Sequence, residues 1–385
     1  MAAASPPLGR IDGDYELAPG GTLRPPPGSP GIELTGILTS RGSGTVEGSL
    51  SCREIRIEGG ALTVRGGLRT IGAIRLRHGR LEVAGDLFAA SLEGDKGLVV
   101  RGNLECPDVD IGGSVEVSGT TKGDQFEVGG AAELRGAVDL TSLEVGGRVT
   151  IGGGTVRRAI QVGGRFETTG ALTFGALEIG GMARLRGPAR GESVEVGGLI
   201  ECDADLVATH GIEVGGRVRV AGKLQSARIE IGGLLSAAAV DGDEIEVGGV
   251  AEVEGAVAGR RLEVGGRLSA ERVVVTDRVE VGDEIRTKSG VRTGSLRLGD
   301  RSTVRGPIVA REVTVGEHAE IEDVWAGSLR LRSRARARNV YGDDVEVASG
   351  VEIQGETQFV RSLRGEGARF AQPPRQVSQL PAAPL

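Results

Sequence analysis

Gln125-Phe-Glu-Val-Gly-Gly130 states a phrase that the chain repeats as far as Asp300. QFEVGG returns as SLEVGG (142–147), AIQVGG (159–164), ALEIGG (176–181), SVEVGG (193–198), GIEVGG (211–216), RIEIGG (228–233), EIEVGG (244–249), RLEVGG (261–266), RVEVGD (278–283) and SLRLGD (295–300). The first glycines fall at 129, 146, 163, 180, 197, 215, 232, 248, 265, 282 and 299, a period of 17 with one step of 18 and one of 16. A fixed period in this range means stacked repeats, because one such unit cannot bury its own apolar face.

Within each repeat the apolar residues alternate with polar ones. Three residues before the anchor glycine stand Phe126, Leu143, Ile160, Leu177, Val194, Ile212, Ile229, Ile245, Leu262 and Val279. Three and five residues after it come pairs such as Val149 with Ile151, Val218 with Val220 and Ala251 with Val253. This is the period of a strand buried on one face. Nine after the anchor, Val138, Leu172, Leu206, Leu224, Val257, Val274 and Val291 mark a third short strand. The 67 glycines argue against helix, since each costs about 1 kcal/mol in a helix interior. At strand corners glycine instead permits sharp, positive-φ turns. These features predict an all-β fold: a single-stranded parallel β-helix, a solenoid of triangular cross-section with about 17 residues per rung. Its Val, Ile and Leu ladders suit a narrow core, and aromatics are 2% of the chain.

Working outward, Glu54-Ile-Arg-Ile-Glu58 and Ala73-Ile-Arg-Leu-Arg77 open rungs 19 residues apart, and VTVGE (313–317), LRLR (329–332) and VEVA (345–348) continue the phase after the glycine pairs fade. The solenoid is therefore expected over 31–371, as 18 to 20 rungs spanning about 90 Å at the usual strand spacing. Phe359, Val360, Leu363 and Phe370 are expected to close it. Residues 1–30, with Pro25, Pro26 and Pro27 in a row, and the Pro/Ala/Gln-rich residues 372–385 read as disordered tails that leave the ends open.

The net charge of -7 argues against wholesale nucleic-acid binding. Cys52, Cys106 and Cys202 are odd in number and too far apart for a metal or disulfide pattern, which suggests a reducing compartment. No signal-peptide pattern opens MAAASPPLGR, and no apolar run approaches the roughly 18 residues of a membrane span. A cytoplasmic protein is expected.

The segment Thr303–Gln354, TVRGPIVAREVTVGEHAEIEDVWAGSLRLRSRARARNVYGDDVEVASGVEIQ, resembles the bactofilins, the polymer-forming cytoskeletal proteins. So does TVEGSLSCREIRIEGGALTVRGGL at Thr45–Leu68. The EVGG middle shares the style only generically. The resemblance implies a right-handed triangular β-helix with Pro-rich tails that polymerises end to end without nucleotide. It also implies a possible attachment to membranes, although this N-terminus lacks the short apolar-and-basic peptide associated with it. This chain would be an expanded member with many more rungs. In the family an aromatic near the C-terminal end of the helix supports polymerisation, a role open here to Phe359 or Phe370.

Glu127, Glu144, Gln161, Glu178, Glu195, Glu213, Glu230, Glu246, Glu263 and Glu280 form an outward column, read as a solvated face that discourages lateral sheet association, with a cation or basic-partner stripe as the sharper alternative. Arg148, Arg165, Arg217 and Arg267, four residues after column positions, are candidates to neutralise it. Arg330, Arg332, Arg334, Arg336 and Arg338 form a candidate basic patch for an acidic protein or a membrane surface, against a balanced surface face as the plainer reading. His78, His210 and His318 have no metal-ligand spacing, and Trp325 reads as core packing. The glycine pairs match neither the nine-residue calcium-binding roll nor a phosphate loop. The sequence thus predicts a structural, non-enzymatic scaffold with no cofactor, no catalytic residue, no small-molecule substrate and no specific nucleic acid. Its partner is itself, through Val46 and Leu50 at one end and Val351, Ile353, Phe359, Val360 and Phe370 at the other. Alternatives are a monomeric scaffold and, least favoured, a polysaccharide-acting β-helix enzyme.

Overall fold

The computed structural model describes residues 9–384. Every regular element among them is a β-strand. The strands pair in parallel with equivalents about 17 residues away, in a β-solenoid of about 20 turns with three strand segments per turn. The chain divides into two compact units, Met1–Gly191 and Glu192–Leu385.

In the first unit, identical phrases lie on identical phrases. Phe126 pairs with Leu143, Leu143 with Ile160, and Ile160 with Leu177. Behind the glycine corner, Ala132, Val149, Phe166 and Ala183 form a second ladder. Phe166 is fully buried between the smaller Val149 and Ala183, so ring volume is accommodated by its neighbours up and down the ladder. Polar corners stack as well. Asp86 accepts from the Asn103 backbone N–H at 2.7 Å, and Asn103 accepts from that of Thr120 at 2.9 Å. Side chains thus satisfy amides where the strands break.

The paired glycines have a different reason from the one expected. None of Gly129, Gly130, Gly146, Gly147, Gly163 or Gly164 has positive φ. A Cβ on Gly146 would stand 2.3 Å from the carbonyl oxygen of Gly129, one on Gly147 2.4 Å from that of Gly130, and one on Gly163 2.4 Å from that of Gly146. Glycine recurs here because successive corners approach too closely for a side chain.

In the second unit, long strands such as Arg217–Ile231, Arg267–Val281 and Glu284–Leu298 run through their corners. One inward ladder is unbroken: Val218, Leu235, Ala251, Leu268, Ile285, Val304, Ile321, Ala337 and Ile353. Two expectations fail locally. Val274 is 40% exposed because this turn is one residue shorter; Val257 pairs with Val273, which faces inward with Val275. Trp325 lies between buried Val324 and Ala326, and therefore projects outward rather than into the core. It is half-buried against Tyr341, ring centroids 4.8 Å apart. Where the glycine pairs fade, the same corner takes two extra residues, and the left-handed conformation in it is held by Arg301, His318 and Arg334 (φ 61°, 60° and 59°), then by Gly350 and Gly367.

The solenoid starts earlier and finishes later than expected. Residues 1–8 of the first expected tail lie outside the described residues. The remainder carries the strands Gly9–Ile11, Tyr15–Leu17 and Thr22–Leu23, which pair with Gly31–Leu34, Ile37–Ser40 and Gly44–Val46. Leu17 and Leu23 are buried in this turn, so prolines at its exit did not prevent alternation within it. In the second expected tail, Arg375–Gln376 forms a strand on Gln358–Phe359.

Alanine substitutions should separate close approach from conformational freedom. Gly147→Ala places a methyl against a carbonyl and should lower stability by about 2 kcal/mol, the scale of an overpacked site. Gly112→Ala meets its nearest neighbour at 3.4 Å and has no positive φ, so it should be neutral or slightly stabilising. Urea unfolding of both variants measures the difference; equal midpoints would contradict the crowding argument.

Candidate assembly edge and charged ladders

The seven residues expected to form end interfaces divide into two groups. Val46, Leu50, Val351 and Ile353 are at most 1% exposed. Val46 lies between Leu23 and Val64, Leu50 between Ile32 and Leu68, and Ile353 between Ala337 and Phe370. Each of these three is therefore covered by a turn on both sides, and the Val351 carbonyl accepts from the Arg369 N–H of the next turn at 2.8 Å. They are core positions, not an exposed surface. The reason is the additional turn found at each end.

Phe359, Val360 and Phe370 do lie in the last turn, and all three are half-buried. Phe359, Leu363 and Phe370 stand in register with inward-facing Gly342, Val345 and Ile353. They continue the core ladders, but among the described residues no complete turn follows to cover them. Ser362–Arg364 and Arg369–Phe370 likewise have no strand on their far side among the described residues. Here apolar surface and unpaired backbone groups coincide, which is the composition of an edge that accepts another strand.

One part of this edge is occupied by the chain itself. The Val377 N–H donates to the Phe359 carbonyl at 2.8 Å, and Gln376 Nε2 donates to the Val360 carbonyl at 3.0 Å. The expectation that the following segment leaves the end open is thereby corrected: its first residues add a short strand to the edge.

The candidate basic patch is largely neutralised. Arg330 reaches Glu346 at 2.9 Å. Arg336 sits between Glu320 at 3.0 Å and Glu352 at 3.4 Å, and Glu352 also meets Arg369 at 3.3 Å. Arg338 Nε donates to Asp323 Oδ1 at 2.8 Å while its Nη2 contacts Oδ2. Only Arg332 and Arg334 stay at the corner, where Arg334 lies 3.3 Å from the His318 ring. The sequence alternation scattered these side chains over two strands and a corner, and the neighbouring turns supply their carboxylates.

The acidic column stacks as expected. Glu127 pairs with Glu144, and Glu213, Glu230, Glu246, Glu263 and Glu280 follow in register. Its partners are not those anticipated. Arg267 turns to Glu284 at 3.1 Å. Arg228 meets Glu230 at 3.2 Å, and Arg278 and Arg297 each meet Glu280 at 3.3 Å. Gln161 Nε2 donates to Glu178 at 2.8 Å. Neutralisation comes from the outward position two residues earlier on the same strand and from the column itself. In the second unit these rows enclose an open groove of about 480 Å³ lined by Arg228, Glu244, Arg261, Arg278 and Glu280. In the first unit a groove of about 470 Å³ includes Arg69, Phe88 and Ile71; Ile71 is 78% exposed and the Arg69 guanidinium lies 4.8 Å over the Phe88 ring.

Cys52, Cys106 and Cys202 are buried thiols, and burial pushes those of Cys52 and Cys106 up to about 12. They are poor nucleophiles at neutral pH. His78 has its backbone N–H and its Nδ1 on the Asp95 carboxylate, the ring at 2.7 Å, while His318 lies in a turn of the second unit beside Arg334. No group of three or more His, Cys, Asp or Glu among the described residues could hold a metal ion. No helix among them is long and apolar enough to cross a membrane.

Asp323 provides a pH test. The hydrogen bonds from Arg338 hold its carboxyl below the ordinary Asp value, against the opposing effect of burial, with help from Asn339. A depressed folded-state value gives stability that is present above the unfolded value of about 4 and is lost as pH falls through the folded one. Arg338→Ala should cost about 1 kcal/mol at pH 7, and the gap from wild type should narrow in acid. Urea midpoints at pH 7 and well below pH 4 check this; a constant gap would rule out the ion pair as its cause.

No family model, curated protein or solved structure matches this chain, so the fold and the edge chemistry stand on the residues themselves.

Proposed function

We propose that this chain is a structural, non-enzymatic scaffold of the bactofilin type that self-assembles end to end, without nucleotide, into filaments. The observation that carries the reading is the last turn, Thr357–Phe370. Its Phe359, Leu363 and Phe370 continue the core ladders, remain half-buried, and border strand edges on Ser362–Arg364 and Arg369–Phe370 that have no partner among the described residues. A second copy that placed a turn on this edge would extend both the hydrogen-bond ladder and the apolar core. Such addition is non-closing when the mating surfaces lie at different ends, and a non-closing contact generates a filament. The resemblance of 303–354 and 45–68 to bactofilins supports the same reading. Three buried thiols with no disulfide pattern fit a reducing, cytoplasmic setting.

A monomeric scaffold that displays charged faces is the second reading. The strand Arg375–Gln376 favours it, because it already occupies part of the edge.

The decisive measurement is sedimentation velocity and negative-stain electron microscopy of the full chain, without nucleotide, across concentration and salt. Concentration-dependent filaments are expected. Phe370→Asp should raise the assembly threshold at least about tenfold, since a desolvated carboxylate at the interface costs more than 1.4 kcal/mol. Arg332→Ala, at an exposed corner, should leave the threshold unchanged. Particles of one size under every condition would reject self-assembly in favour of the monomeric scaffold.

A further inference from the structure

We infer that the segment Ala371–Pro384 is a built-in strap that covers the apolar edge of the last turn and competes with a second copy for it. This inference rests on the proposed self-assembly and adds its regulation. The strap occupies the ladder position that the first strand of an incoming turn would need. Arg375 and Gln376 pair with Gln358 and Phe359. The Val377 N–H bonds to the Phe359 carbonyl at 2.8 Å, and Gln376 Nε2 to the Val360 carbonyl at 3.0 Å. Val377 and Leu380 are half-buried in a segment that is otherwise mostly exposed. A second copy and the strap therefore cannot bond the same carbonyls at once.

The composition of the segment fits a reversible cover rather than another turn. Pro373 and Pro374 precede the strand, and Pro381 and Pro384 follow it. Proline donates no backbone hydrogen bond and blunts a sheet edge. Only two residues reach strand geometry, against the eight of Thr357–Arg364 beneath them. The strap covers the first strand of the terminal turn and leaves Ser362–Arg364 and Arg369–Phe370 free on their far side among the described residues. A short, partial cover is held weakly enough to be displaced. It lowers the fraction of chains competent to assemble, and the apparent association constant falls by that fraction.

The test uses the full chain carrying Gln376→Ala and Val377→Pro, which removes the Gln376 Nε2 and Val377 N–H donors to the edge and changes no core residue. Two readouts are taken. Hydrogen exchange in the wild type should show the Val377 amide protected relative to the amides of Ser378 and Gln379. The assembly threshold of the double variant should fall about tenfold, the shift expected if roughly one wild-type chain in ten is uncovered. An unprotected Val377 amide would overturn the strap whatever the assembly behaviour. A protected amide with equal, measurable thresholds in both proteins would also overturn it, and would leave self-assembly standing. A protected amide with no assembly by either protein would overturn both the strap's competitive role and the proposed polymerisation.

Discussion

Everything in this protein follows from the distance at which one turn lies on the next. Parallel backbone hydrogen bonds fix that distance at about 4.8 Å. Equivalent residues must then stack, and whatever occupies a column must tolerate its own kind above and below. Aliphatic side chains do so inside, as in the ladder from Val218 to Ile353. At the EVGG corner the same spacing brings a carbonyl within 2.3 to 2.6 Å of the place where a side chain would begin on Gly146, Gly163 or Gly180. The glycine columns and the apolar ladders are therefore two consequences of one constraint.

The outer surface obeys it too. Glutamate stacked on glutamate is unfavourable, and the second unit offsets it by drawing arginines from the flanking outward position and the next turn, as Arg228, Arg278 and Arg297 do. Elsewhere the chain alternates sign along the stack, as in Glu320, Arg336, Glu352 and Arg369. Exposed pairs of this kind contribute little individually. Their larger effect is to keep charged side chains on the outward faces and corners, up to Arg369 in the last turn.

A stack that satisfies each turn by its neighbours leaves its last turn unsatisfied. At Ser362–Arg364 and Arg369–Phe370 core residues and backbone groups together lack a following turn among the described residues. This is why the candidate functional site is an edge rather than a pocket, and why a short proline-flanked strand on it matters: a cover at that place acts on the hydrogen bonds and apolar contacts that an added copy would use.

The sequence by itself determined the solenoid, its period and its core, because Val, Ile and Leu recur at fixed offsets from each glycine pair and only stacked turns give such offsets meaning. It also placed the glutamate column correctly on one outward face. Spacing alone misread features that depend on other turns. The first turn is hidden in the sequence because its offset is 23 residues, matching Ile11 to Leu34 and Leu23 to Val46, and prolines dominate the local composition. Val274 and Trp325 were assigned to the core by counting, whereas a shortened turn and strand alternation face them outward. The arginines of 330–338 read as one patch, but carboxylates fifteen or sixteen positions away neutralise Arg330, Arg336 and Arg338. Which residues end the stack, and what lies on them, was decided only by the tertiary structure, since burial in a solenoid depends on whether another turn follows.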